Sequence, residues 1–323
     1  MSPLRSHPSA TDARRTRLWL PRLAWLCAAM MLAIISISAF IRLVNTGVGC
    51  TPWPACHGQL GSLLPAGGAH PGASDAAVAA ARSAHRVVAS GSLVVILVLL
   101  SLSLQQRLRR QARHAAGLLA LALFLAGLGI AARSSLAPAV TLGNLLAGFC
   151  MLVLSVRLAR LPDAGRAAPP LAPWAWAALA LTLAQAALGA LVSSGHAGLS
   201  CPTWGLCDVS QASWQTLNPW TAPPAGTSPS HPGGALIHLL HRICGLGLLG
   251  LLTAMAWRAA RLKQPWVATA VVALPALQIL LGLGLVAQQL PLGGTWAHNL
   301  LAALLAALLA SLTTSARQTP ARA

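Results

Sequence analysis

The sequence predicts an all-α membrane protein whose eight transmembrane helices form two duplicated four-helix bundles. Three observations predict it. Hydrophobic residues make up 56% of the 323 positions and charged residues 8%, more apolar side chain than a water-soluble chain of this length can bury. Uncharged runs near the length of about 20 residues that an apolar helix needs to cross a bilayer recur along the chain. A short cassette is written twice: Cys50, Trp53 and Cys56 return as Cys201, Trp204 and Cys207, and His85-Arg86 returns as His241-Arg242, so half of the chain has been duplicated. Hydrocarbon offers no water to backbone groups, which makes helices rather than open strands the carriers of these runs.

The first run, 20–44, follows Arg5, Arg14, Arg15 and Arg17 and carries Arg22 at its start. That basic flank resembles a secretory signal, but the run exceeds the roughly 7–15 residues of a signal core and is expected to remain as an uncleaved helix. A stretch rich in Gly, Pro and Ser, 45–83, separates it from the second run, 84–105, which opens on His85-Arg86. Arg107, Arg109, Arg110 and Arg113 lead into the third run, 115–133, and a short turn leads into the fourth, 137–156. Arg157, Arg160 and Arg166 mark the connector to the second half. There the fifth run, 172–193, is followed by a second long loop, 194–234, and by the sixth run, 235–257, with His241-Arg242. Arg258, Arg261 and Lys263 precede the seventh run, 265–288, and the eighth, 295–314, leads to Arg317 and Arg322.

When these runs alternate across a membrane, every basic cluster falls on one side, the positive-inside pattern with both termini cytoplasmic. The net charge of +18 is therefore a topology signal and not a nucleic-acid footprint. The implied organisation is a cytoplasmic tail 1–19, an N-terminal bundle 20–160 with outer loop 45–83, and a cytoplasmic linker 161–171. A C-terminal bundle 172–315 with outer loop 194–234 and a cytoplasmic tail 316–323 complete it.

Both cysteine pairs then sit outside the cytoplasm, where disulfides persist, and the six-residue step lets the chain turn back to join Cys50 to Cys56 and Cys201 to Cys207. Each bridge either pins its loop above the bundle or takes part in thiol–disulfide exchange, and the spacing leaves both open. Paired CxxC spacing, which a four-cysteine zinc site needs, is absent. Cys27, Cys150 and Cys244 fall within spans and read as small apolar residues.

Histidine is costly inside a membrane helix and normally faces a bundle interior or a cofactor. His85 and His241 lie near the outer ends of the second and sixth helices, and His298 near that of the eighth. His241 and His298 are expected at similar depth in one half, an arrangement suited to the two axial positions of a haem iron. The plainer alternative is a histidine hydrogen-bonded to a neighbouring helix. Arg242 is placed to pair with a haem propionate, with Arg86 as its repeat counterpart, and His238, one turn before His241, is a candidate to share its face. His57, His70, His196 and His231 fall in loops, where solvated histidines are the default.

Together these features resemble the heme A synthases of the cytochrome oxidase assembly family. The resemblance rests on the two four-helix halves, the cysteine pairs around Trp, and His-Arg opening the second helix of each half. It rests also on the phrase Asn45-Thr-Gly-Val-Gly-Cys50-Thr-Pro-Trp53-Pro-Ala-Cys56-His57-Gly58, and it covers 20–315. It implies a b-type haem held by His241 and His298 in the C-terminal half. It further implies an N-terminal catalytic half that binds haem O and oxidises its carbon-8 methyl to a formyl group, giving haem A. A bacterial inner-membrane location, a farnesyltransferase-type membrane enzyme supplying haem O, and cytochrome oxidase assembly factors as partners follow from the same resemblance, which leaves a homo-oligomer open.

The N-terminal half departs from the family pattern, in which a glutamate stands three residues before the first catalytic histidine and a second histidine lies on the fourth helix. His85 matches the first histidine. Arg82 holds the glutamate position, and the chain has no glutamate; its acids are Asp12, Asp75, Asp163 and Asp208. Gly143-Asn144-Leu145-Leu146-Ala147 lines up with His298-Asn299-Leu300-Leu301-Ala302, so Gly143 stands where the second histidine belongs. Asp75, in the outer loop, substitutes for the glutamate only if that loop folds back over the bundle. Three functions remain. One is a heme A synthase working through His85 alone, with a coordination position open for oxygen. Another is a haem carrier or oxidase assembly factor that keeps only the His241/His298 site. The third is a membrane thiol–quinone oxidoreductase built on the cysteine pairs.

The cysteine spacing generates a direct expectation. Alkylation of freshly isolated membranes without prior reduction should leave Cys50 and Cys56 unlabelled, and labelling of both would remove the disulfide.

Overall fold

The computed structural model describes residues 10–48, 56, 75–131, 137–161, 170–203, 207–224 and 226–314, without the side chains of 10–18, 75 and 131. Among the described residues eight helices are long and apolar enough to cross a membrane, and none forms a strand. They are α1 (Ala10–Asn45), α2 (Asp75–Gln105), α3 (Arg109–Ala131), α4 (Pro138–Arg160), α5 (Ala172–Ser194), α6 (Ala235–Arg261), α7 (Pro265–Ala287) and α8 (Leu292–Leu312). The chain is an all-helical, multi-pass membrane protein.

The helices outlast the apolar runs that announce them. α2 begins at Asp75, nine residues before the apolar run at 84 and inside the segment expected as outer loop. The reason is local: 75–82 reads Asp-Ala-Ala-Val-Ala-Ala-Ala-Arg, mostly strong helix formers with an acid at the N-terminus, where the helix dipole favours it. α1 likewise extends back through its arginines and carries Pro21 without ending. Several C-termini close without glycine. Arg107, His196, Lys263 and Gln289 take left-handed φ of 54–58°, and the next amide reaches back five residues, as in Leu108 to Ser103 (2.8 Å) and Ala197 to Val192 (2.9 Å).

α1 to α4 close a ring through contacts α1–α2, α2–α3, α3–α4 and α4–α1, and α5 to α8 close another in the same manner. α4 packs on α5 and α8, and α1 packs on α8, so the two rings share one core. That core lies toward the bundle end remote from the long loop 195–234. Ala24 and Cys27 early in α1, Leu99 late in α2, Leu118 early in α3 and Leu158 late in α4 are at most 2% exposed. Ala175 early in α5, Met255 late in α6, Val271 early in α7 and Leu309 late in α8 are fully buried. Successive helices run in opposite directions, so these early and late positions meet at one end. Alanines 178, 259, 303, 306 and 310 are also at 0% exposure, which lets the helices approach closely where lipid supplies no hydrophobic drive for association.

Close alanine packing leaves no room for a larger side chain. Ala306→Leu should destabilise the protein by roughly 1–3 kcal/mol, seen as a lower thermal midpoint in detergent, whereas Leu280→Ala, at a residue 66% exposed, should leave the midpoint near that of the parent protein.

Candidate cofactor cavity

Where the core is absent, at the end carrying loop 195–234, α1 and α4 to α8 enclose a partly open cavity with about 1170 Å³ of atom-free space, its mouth included. Its polar lining includes Arg42, Gln185, His238, His241, Gln278 and His298, with His196 and Asn299 beside them. His241 stands six residues after Ala235 at the start of α6, and His298 six residues after Leu292 at the start of α8. At about 1.5 Å per residue both lie roughly 9 Å into their helices. Their ring centroids are 6.4 Å apart with the planes tilted by 55°. Two metal–nitrogen bonds of about 2 Å, plus about 1 Å from nitrogen to centroid in each ring, separate two axial imidazoles by about 6 Å. The rings thus stand at the spacing that one iron between them requires.

The polar atoms here are left open. His241 Nδ1, His298 Nδ1, Gln185 Oε1, Gln278 Oε1 and Arg42 Nε are all buried without a hydrogen-bond partner. Such orphans are rare in native proteins and call for a ligand or another explanation. The partners that do exist restrain the frame. The Gln185 amide donates to His241 Nε2 at 3.4 Å, and Gln278 Nε2 donates to the His298 carbonyl at 2.8 Å, tying α7 to α8.

Glycine makes room for both rings. A Cβ at Gly189 would lie 3.1 Å from His241 Cε1, one at Gly282 3.3 Å from His298 Cε1, and one at Gly245 3.2 Å from Gln185 Nε2. Gln185 and Gly189 are one turn apart on α5, and Gln278 and Gly282 one turn apart on α7, so each helix presents an amide and a gap on the same face. These residues escaped the sequence expectations. The signal was present, because Gln185-Ala-Ala-Leu188-Gly189 and Gln278-Ile-Leu-Leu281-Gly282 repeat one phrase. Arg42, a lone cation within an apolar run, was also missed.

The loop 195–234 roofs this end. Cys201 and Cys207 form a disulfide with Cα atoms 5.2 Å apart. Arg242, expected to face a cofactor, instead donates through Nη2 to the Cys201 carbonyl (2.6 Å) and through Nη1 to the Thr203 carbonyl (2.7 Å), clamping the disulfide loop to α6 outside the main cavity wall. His238 Nδ1–H donates to the Ala197 carbonyl (3.0 Å) and His231 Nε2–H to the Gly195 carbonyl (3.0 Å). His196, set by its positive φ at the turn after α5, lines the cavity, where burial pushes its pKa below the ordinary value. The histidines expected to be solvated in this loop are therefore structural.

The N-terminal half is organised differently. His85 stands ten residues into α2, half-buried and outside this cavity, while Arg82 and Arg86 are exposed. A Cβ at Gly143 would lie 3.0 Å from Leu128 Cδ2, so α3 fills the space that a histidine at 143 would take. Cys56 is disulfide-bonded, and its expected partner Cys50 lies outside the described residues, as do Trp53, Trp204 and the Asp75 side chain. Among the described residues no group of three or more His, Cys, Asp or Glu side chains could hold a metal ion.

Residues 21–310 match the family COX15-CtaA, described as cytochrome oxidase assembly protein. The chain is also similar to the heme A synthase of Shewanella oneidensis, at 29% identity over 315 residues that cover 88% of this chain and 93% of that one.

The glycine gaps yield a paired test. Leucine at 189 has to displace the His241 ring, whereas leucine at 247 meets open space. In an absorbance titration with ferric haem, Gly189→Leu should weaken binding by roughly tenfold or more, about 1.4 kcal/mol, and Gly247→Leu should bind as the parent does.

Proposed function

The chain belongs to the cytochrome oxidase assembly protein family, and from that membership we propose that it is an oxidoreductase of the heme A synthase type, with haem O as substrate in the N-terminal half and haem b between His241 and His298. One observation carries the haem b assignment: two imidazoles with centroids 6.4 Å apart, each with a buried Nδ1 lacking a partner, in a cavity where Gly189 and Gly282 leave room for their rings.

The residues fit that group. His241 and His298 would hold haem b, which would supply one-electron transfer when bound. Gln185 and Gln278 restrain the two histidine-bearing helices, and the apolar walls from Leu43, Val48 and Leu290 keep water from the ring faces. Turning a methyl into a formyl group is a four-electron oxidation that adds one oxygen atom, so an oxidant has to reach the catalytic half, and oxygen insertion from dioxygen would draw further electrons from a donor, a supply that a one-electron centre in the other half could relay. His85 is the residue assigned to the haem O iron. Gly143 provides no second ligand, so a haem O held by His85 would have no protein ligand from that position.

A second function is favoured by the same half. With Arg82 in place of the family glutamate and Leu128 packed against Gly143, the chain suits a haem carrier or oxidase assembly factor that retains only the C-terminal site.

Coexpression with a haem O source, followed by extraction and mass analysis, separates them. The synthase assignment requires haem A in the extract of the parent protein and its loss in His85→Ala. Haem O recovered unchanged, beside a fully loaded C-terminal site, would instead establish the carrier. His241→Ala and His298→Ala should each abolish a low-spin six-coordinate spectrum in either case, and retention of that spectrum by both would refute the haem b site.

A further inference from the structure

The cavity in the C-terminal half contains a cation that the N-terminal half provides. Arg42 lies three residues before the end of α1, inside the membrane-spanning segment Trp19–Asn45. Among the described residues its guanidinium makes one hydrogen bond, Nη2 to Asn299 Oδ1 at 2.8 Å, and its Nε is buried with no partner. Asn299 is itself held, since its Nδ2 donates to the Thr295 carbonyl at 2.8 Å, and it adjoins His298 on α8. A guanidinium carries five N–H donors and stays charged, so a single amide oxygen leaves most of its bonding capacity and all of its charge uncompensated. Among the described residues Arg42 makes no ion pair. Asp12, Asp75, Asp163 and Asp208 are its only acids, and all four lie outside the membrane-spanning segments.

An unpaired cation enclosed within a membrane helix is expensive, and removing its counter-charge is more so than never having buried it. The counter-charge has to arrive with whatever fills the cavity. We infer that Arg42 and Asn299 form a carboxylate subsite, which anchors a propionate of a tetrapyrrole lying between His241 and His298. This rests on the bis-histidine haem assignment above. Its added content is that the C-terminal cofactor is bound jointly by the two halves. α1 contributes the charge and α6 and α8 the axial imidazoles, so the C-terminal bundle alone is an incomplete site.

The test uses full-length purified protein, protohaem and protohaem dimethyl ester, whose carboxylates are capped. The parent protein should release protohaem to excess apomyoglobin at least tenfold more slowly than it releases the ester. Arg42→Gln should keep a low-spin spectrum, release both haems at one fast rate, and show a lower midpoint potential, because a cation beside the propionate favours the reduced iron. Arg42→Lys should restore part of the discrimination. Equal release of acid and ester by the parent protein, with its low-spin spectrum intact, overturns the subsite and leaves the bis-histidine site standing; this arm needs no variant to fold. A parent protein that binds neither haem in low-spin form overturns both.

Discussion

Hydrocarbon cannot solvate a charged or polar side chain, so every such group inside a spanning helix has to be enclosed by protein and given a partner. The arrangement of this bundle follows from that constraint. At the end remote from the long loop, the helices meet chiefly through alanine and leucine, and the buried hydroxyls of Ser103 and Ser155 donate to carbonyls one turn back in their own helices. At the other end, Arg42, Gln185, His241, Gln278 and His298 converge from five helices on one cavity. The close packing of the first end holds the helices in position, and the glycines of the second allow rings and amides to stand where side chains would otherwise fill the space.

The two halves share a cassette but have divided its use. In the C-terminal half the His-Arg pair places the histidine in the cavity and turns the arginine outward, onto the carbonyls of the disulfide loop. The covalent bridge between Cys201 and Cys207 is thereby coupled to the residue next to His241, a mechanical link between loop and cavity. In the N-terminal half both arginines near His85 are exposed, and the counterpart of His298 is a glycine packed beside Leu128. The repeated cassette thus stands beside a polar cavity in one half and beside a glycine packed on Leu128 in the other, and the halves join where α1 and α4 pack against α8.

Much of the fold was legible in the linear pattern. Apolar runs located eight spans because the bilayer sets one length for all of them. The ends were less legible: α2 begins nine residues early, since an alanine-rich stretch is helical whether or not it is hydrophobic, and four C-termini close on Arg, His, Lys or Gln where glycine is the usual signal. Of the site, the histidine pair was visible as two imidazoles at similar depth near the outer ends of the sixth and eighth runs. Arg42 and the two Gln-Gly pairs were not singled out, because each sits on a different helix, and only their convergence gives them a common purpose.

The sequence by itself determined the class of molecule, the number of spans and the residues with the chemistry to hold a haem, because solvent compatibility and side-chain type are properties of the chain alone. The tertiary structure decided which of those residues meet. It placed His241 and His298 6.4 Å apart, sent Arg242 to the loop and brought Arg42 across from the other half. Such pairings depend on helix rotation and inter-helix distance, which are set by small-residue packing summed over many contacts and are written at no single position.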